Sequence, residues 1–287
     1  MDLLKSIKMQ FILMINSISF KVGFSIVMIY VLTSYIVSLI SNMSTDIAFM
    51  YSAHALFCGV EFSKLRTIFE VVFPFLVVFP FSFSYLTDLS VKIHPYLLGR
   101  MGRRNYFAGK IVTNFIGSFI IIFVPFCVNL LLCYITFPWN NNHIFGDYNA
   151  LNYASELLGT NVTINTVQSG VPFLKLFLYS PLAYNLMYIC IFSVFSGLAS
   201  ALSGIVSFYI KNYKILLFIP VYLLFYIGNF LNILSVRFDK YINFRLMDYI
   251  YVNPSFGRSF VVPLCFVVFM LVASFFSFRY ACKKEEL

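Results

Sequence analysis

Long stretches of this chain run without an ionic residue, and short connectors between them hold the charges. Between Lys21 and Asp46 lie 24 uncharged residues, predominantly apolar over Val22 to Ile40. That is enough helix to cross roughly 30 Å of hydrocarbon. Ile111 to Phe137, Pro181 to Ile210, Ile215 to Leu234 and Phe260 to Phe278 repeat the pattern. A weaker run, Phe69 to Phe83, sits among only 17 uncharged residues between Glu70 and Asp88 and carries Pro74 and Pro80, so it predicts a kinked or short span. About six spans follow, with both termini on one side. The runs are continuously apolar, whereas barrel strands alternate lipid-facing and lumen-facing residues. The predicted fold class is an all-α polytopic membrane protein, one transmembrane domain over residues 1–287.

Composition agrees: the 287 residues are 61% hydrophobic and 11% charged, with mean hydropathy +0.87, more apolar surface than a soluble domain can hide. Sorting the connectors onto alternate sides puts 13 of the 20 Lys and Arg and four of the 11 acids with the termini, so that side carries the whole +9. The Lys211 to Lys214 connector and the basic C-terminal tail make that side cytoplasmic by the positive-inside rule, against the opposing Arg237, Lys240, Arg245 and Arg258. These charges follow juxtamembrane edges, so membrane lipids are the expected counter-charge and no nucleic acid partner is expected. Richness in Phe, Ile, Asn and Lys suggests an AT-rich bacterial genome and hence a bacterial plasma membrane. The six cysteines lack metal-type spacing and fall mostly inside spans, which predicts neither a disulfide nor a metal site.

Residues 1–20 resemble a secretory signal only superficially, since no small-residue cleavage site follows. Leu4, Ile7, Phe11, Met14 and Ile18 recur at helical steps away from Lys5 and Lys8, which predicts an amphipathic helix lying along the membrane surface.

The inner connector 85–110 holds the densest chemistry: Asp88, Lys92, His94 and Pro95, then Arg100, Arg103, Arg104, Tyr106 and Lys110. Arg103, Tyr106 and Lys110 fall on one helical face at the water boundary, where a polar protein surface can dock. Pro95, Gly99 and Gly102 predict a short transverse helix over about Thr87 to His94, a bend, and a second rise. The same basic residues would also serve anionic headgroups.

Six spans in just under three hundred residues, the amphipathic entry helix and the inner connector with Asp88, Arg100, Arg104, Tyr106 and Lys110 together resemble the type-2 ABC exporter permeases. The resemblance extends over the long third and fourth spans, Gly117 to Pro125 and Pro181 to Gly204. It implies that Thr87 to Arg104 is a coupling helix seated on a separate ATP-binding subunit, with Asp88, Arg100, Arg103, Arg104, Tyr106 and Lys110 at the contact. It also implies a second permease copy or paralogue, and export of peptide, lipid or other amphipathic cargo, antimicrobial peptides among them. No phosphate-cradling motif is present: Gly109-Lys110 is followed by Ile111, and Arg104 stands where the first glycine should be. The chain is thus expected to be non-catalytic and to bind no cofactor, with ATP and Mg held by the partner.

Two outer connectors remain, the asparagine-rich 138–175 beginning beside Trp139, and 235–258, where aromatic and balanced charged residues fit either a re-entrant outer gate or a surface segment. Within the spans Asn114, Asn129, Asn185 and Asn229 are expected to face other helices or a pathway, with interhelical hydrogen bonding the stronger expectation. Ser193, Ser196, Gly197, Ser200, Ser203, Gly204 and Ser207 form a small-residue seam suited to close helix packing. An ion-coupled secondary carrier is the alternative class. It calls for an ionisable group at mid-membrane, and Glu70, with Arg66 one turn away, is the only carboxylate closely bordering a span. An intramembrane enzyme ranks lower, because His54, His94 and His143 fall in separate connectors.

Overall fold

The computed structural model describes residues 3–47, 50–59, 64–139, 176, 180–209, 214–237, 244–250 and 261–284. Among them every regular element is helical: α1 (Leu3–Asn16), α2 (Ile18–Asn42), α3 (Lys64–Val78), α4 (Ser84–Ser90), α5 (His94–Met101), α6 (Arg103–Thr136), α7 (Pro181–Val206), α8 (Phe218–Arg237), α9 (Leu246–Ile250) and α10 (Val261–Lys284). Five of these, α2, α6, α7, α8 and α10, are long and apolar enough to cross a membrane. The chain is an all-α, multi-pass membrane protein.

The weak run expected to be kinked or short, Phe69 to Phe83, is shifted toward the N-terminus: among the described residues helix α3 covers Lys64–Val78, 15 residues or about 22 Å of rise, short of the hydrocarbon thickness. It absorbs Pro74 but ends before Pro80, which lacks an N–H and disfavours helical backbone at Phe79. Even so the chain crosses here. Ser6 bonds the Asn105 carbonyl, Gln10 that of Tyr106, and the Asn129 side chain that of Val31, so partners stay 96 to 99 residues apart and α1–α2 runs parallel to α6. Two parallel helices require residues 43–102 to bring the chain back, and α3 with its following turns does so. Tyr209 stacks on Tyr280 and donates to the Ser277 carbonyl, while Tyr85 meets Phe208, so α10 ends where α4 and α5 lie. Both described ends of the chain therefore share the elbow end of the bundle.

At the centre, α6 and α7 pack antiparallel along the small-residue seam. A Cβ at Gly197 would meet the Phe115 backbone oxygen at 2.9 Å, and one at Gly204 would overlap the Asn114 amide. Ser196 donates to the Ser118 carbonyl, and Ser118 to that of Val77 on α3. Such approaches matter in lipid, where helix association rests on van der Waals contact and hydrogen bonds rather than on burial from water. Phe69, Phe73, Phe126, Phe192 and Phe225 fill the space alongside as a connected ring cluster.

The entry helix differs from its predicted orientation. Its buried stripe is Ser6, Gln10 and Met14, whereas Leu4 is 79% exposed and Ile18 80%. Ser6 and Gln10 hydrogen-bond α6, and the apolar side faces outward, as suits a helix whose surroundings are lipid. Ser17 separates α1 from α2 by donating to the Met14 carbonyl and capping the Phe20 N–H.

Candidate functional site

The connector between α3 and α6 folds into an elbow of two short helices. Helix α4 ends in a Schellman motif: Ile93 N–H bonds the Asp88 carbonyl, Lys92 N–H bonds that of Leu89, and Lys92 takes the left-handed conformation at φ 60°. The predicted helix over Thr87 to His94 is therefore split at residues 91–93. Pro95 lies in the first turn of α5, where its missing N–H costs nothing, and Gly99 lies within that helix. The break into α6 falls at Gly102, whose φ of 77° suits glycine.

Of the six residues expected at a partner contact, three turn inward. Lys110 Nζ stands 2.6 Å from Asp88 Oδ2, the Tyr106 hydroxyl donates to the same oxygen at 2.6 Å, and Lys110 lies over the rings of Phe81 and Tyr106. Tyr106 is fully buried and Lys110 only 3% exposed, so neither can form part of an external docking face. The cause is helical phase: at steps of three and four, Tyr106, Gly109, Lys110 and Thr113 form the α6 face covered by α1 and the elbow. Arg100 and Arg104 are exposed and Arg103 is half-buried, so a basic outer edge backs onto an ionic tie. Exposed Lys92 and Tyr96 extend this edge along the two short helices.

The four span asparagines divide. Asn129 accepts from Cys58 N–H at 3.0 Å and donates to the Val31 carbonyl, and Asn185 donates to the His54 carbonyl. Together they hold the buried loop 52–59, which plugs the end of the bundle opposite the elbow; Ala53 N–H also bonds the Pro138 carbonyl. That buried loop was not predicted, since its short, mildly apolar sequence has no helical or strand period. Asn114 sits in the α6–α7 seam, where its Oδ1 and the Ser200 hydroxyl are buried without a hydrogen-bond partner. Asn229, expected to face inward, is exposed on α8. The inward phase of that helix belongs to Val221, Leu224, Phe225 and Gly228.

A second ionic cluster lies toward the plugged end. Glu70 accepts from Arg66 Nε at 3.2 Å and from Arg245 Nη2 at 2.9 Å, and Arg245 Nε lies 3.7 Å from Asp248. Glu70 is mostly enclosed, with Arg66 one turn away as its expected partner and Arg245 as a second. Arg245 reaches it because Phe244 and Arg245 fold back onto Gly228 of α8, where a Cβ would overlap the Phe244 carbonyl. Asn232 accepts the Phe244 N–H, and Leu246, Met247 and Tyr249 are buried. Residues 244–250 thus turn back into the bundle; the rest of 235–258, apart from the end of α8, and almost all of 138–175 lie outside the described residues.

Among the described residues no group of three or more His, Cys, Asp or Glu is placed to hold a metal ion. His54 is in the plug and His94 in the elbow, at opposite ends, and His143 lies outside the described residues. No family model, curated protein or solved structure matches this chain.

Proposed function

We propose that this chain is the permease subunit of an ATP-driven transporter of the type-2 ABC exporter class, in which the elbow formed by α4 and α5 receives a separate ATP-binding subunit. The observation that carries this reading is the elbow itself. The two short helices, the turn between them and the first residues of α6 present a basic edge, Lys92, Arg100 and Arg104, and the short helices are bound from behind to α6 through Asp88, Tyr106 and Lys110. A push on the edge reaches the base of a 34-residue helix through an ion pair and a charged hydrogen bond. In this reading the elbow end is cytoplasmic, the chain works with a second permease copy or paralogue in a bacterial plasma membrane, and ATP and Mg stay in the motor subunit. The cargo in this reading is amphipathic, such as peptide or lipid.

The test is co-purification from mild detergent. A Walker-motif ATPase should accompany the wild-type chain, and the Arg100→Glu, Arg104→Glu double variant should insert normally yet lose it. Retention of the ATPase by that variant, or its absence from the wild type, rejects the reading.

One observation favours an ion-coupled carrier instead. Glu70 is a carboxylate enclosed among helices and paired with two arginines, an arrangement seen where a proton or ion is exchanged. Glu70→Gln separates the two: a carrier stops, whereas an ATP-driven permease continues to transport.

A further inference from the structure

The buried cation at the base of α6 has more oxygen acceptors around it than it engages. Lys110 is almost fully enclosed, its ammonium offers three N–H donors, and among the described residues the one carboxylate it meets is Asp88. The rings of Phe81 and Tyr106 lie over it. Three further oxygens, Gln10 Oε1, Thr113 Oγ1 and Asn114 Oδ1, are buried without a hydrogen-bond partner. We propose that these three oxygens form a second seat for the Lys110 ammonium, taken up when α4 draws Asp88 away from α6.

Helix geometry gathers the three around Lys110. Thr113 and Asn114 stand three and four residues after it, so they flank it on the next turn, and their Cα–Cβ bonds tilt back toward the turn that carries it. Asn114 lays its Nδ2 against Gly204 of α7, which leaves Oδ1 on the other edge of the amide. Gln10 comes from α1. Its Nε2 donates to the Tyr106 carbonyl, the acceptor that an α-helix pairs with the main-chain N–H of Lys110. A Cβ at Gly109 would stand 3.0 Å from the same nitrogen, so the amide rests on the residue just before Lys110. Because a carbonyl must receive a donor, that bond also fixes which edge of the Gln10 amide is oxygen.

An unpaired oxygen in a buried place is destabilising, and here three of them border one cation. In number they match the N–H donors of an ammonium. The carboxylate has no such reserve, since among the described residues the only cation Asp88 meets is Lys110. The tie is thus a latch with two positions for its cation, and the elbow can part from α6 without leaving a bare ammonium in the core. The seat does not depend on what draws the elbow away, and it holds whether or not an ATP-binding subunit docks there.

Asp88→Asn in the full-length protein imitates withdrawal of the carboxylate, and Asp88→Ala replaces it if the first variant is not monodisperse. Lys110 is then followed in detergent by acylation with a water-soluble succinimidyl ester, mapped by mass spectrometry against the exposed Lys92. Lys110 should remain as protected in Asp88→Asn as in the wild type. Adding Thr113→Val, which removes one acceptor at nearly constant shape, should raise its reactivity about tenfold, the worth of one hydrogen bond to a charged group. Gln10→Met should do the same from the α1 side. With Asp88 in place neither change should expose Lys110. Thr113→Val should lower the unfolding midpoint only in the Asp88→Asn background, because in the wild type it deletes an oxygen that bonds nothing. If Asp88→Asn alone makes Lys110 as reactive as Lys92, the ammonium has moved to the water boundary and the seat is rejected. An equal effect of Thr113→Val on the midpoint with and without Asp88 would show that its oxygen serves something other than Lys110, bound water included, and would also overturn the proposal.

Discussion

The ionic clusters at the two ends of the bundle are built in different ways. At the elbow, Asp88 and Lys110 meet 22 residues apart in sequence, within one helical hairpin, with a tyrosine sharing the carboxylate and two rings closing over the ammonium. At the plugged end, Glu70 and Arg245 meet across 175 residues, and Arg245 is 40% exposed at its side chain. The first is a dry, local tie that makes two short helices and the base of α6 one piece. The second is a clasp that fastens a late segment of chain to an early helix through one half-exposed cation, Arg245, beside the buried Arg66.

Breaking the dry tie should have the largest effect. Lys110→Met leaves the Asp88 carboxylate enclosed without its cation, which should cost about 3–5 kcal/mol and be read as a lowered unfolding midpoint in detergent. The Asp88→Asn, Lys110→Met double variant should recover most of it; a double variant as unstable as the single one would show that the pair does not act as a unit.

Glu70→Gln should cost about 2 kcal/mol, because water reaches Arg245 and offsets part of the lost charge-assisted bond. Its sharper signature is local: a cysteine placed at Asp248 should react faster with a charged maleimide once the clasp is open. Unchanged reactivity would mean that residues 244–250 are held by the apolar Leu246 and Met247 alone.

Asn129→Leu removes the neutral counterpart of the clasp, two hydrogen bonds to the plug loop and α2. About 1–2 kcal/mol is expected, with faster hydrogen exchange over residues 52–59. The smallest effect has the opposite sign. Lys92→Gly relieves a left-handed residue in the Schellman turn and should raise stability by up to about 1 kcal/mol, with no change in the Asp88 tie.

The long spans were readable because a bilayer demands about twenty apolar residues in a row, and charge-free runs announce them. The seam of serines and glycines on α7 was readable for a related reason, since small residues at steps of three and four have little other use in a membrane helix. The orientation of α1 was not. The apolar spacing was read as a face laid on the membrane surface, but where lipid is outside, Ser6 and Gln10 gain more by turning in against α6. Tyr106 and Lys110 were misplaced because polar side chains at the water boundary were read as facing a partner, although Asp88 and Lys110 flanking one hairpin were the available signal. Arg66 and Glu70 could be paired from their spacing, but nothing in local sequence joins Glu70 to Arg245 across 175 residues.

The near-constant register between α1–α2 and α6 sets a schedule for synthesis. The main-chain carbonyls that accept from Ser6 and Gln10 belong to residues made 96 to 99 positions later. At about 5–20 residues per second, the nascent chain waits roughly 5–20 s before those partners emerge. During that interval the entry helix must keep its polar stripe wet, so it belongs at the bilayer surface first and takes its place beside α6 only when that second long helix arrives.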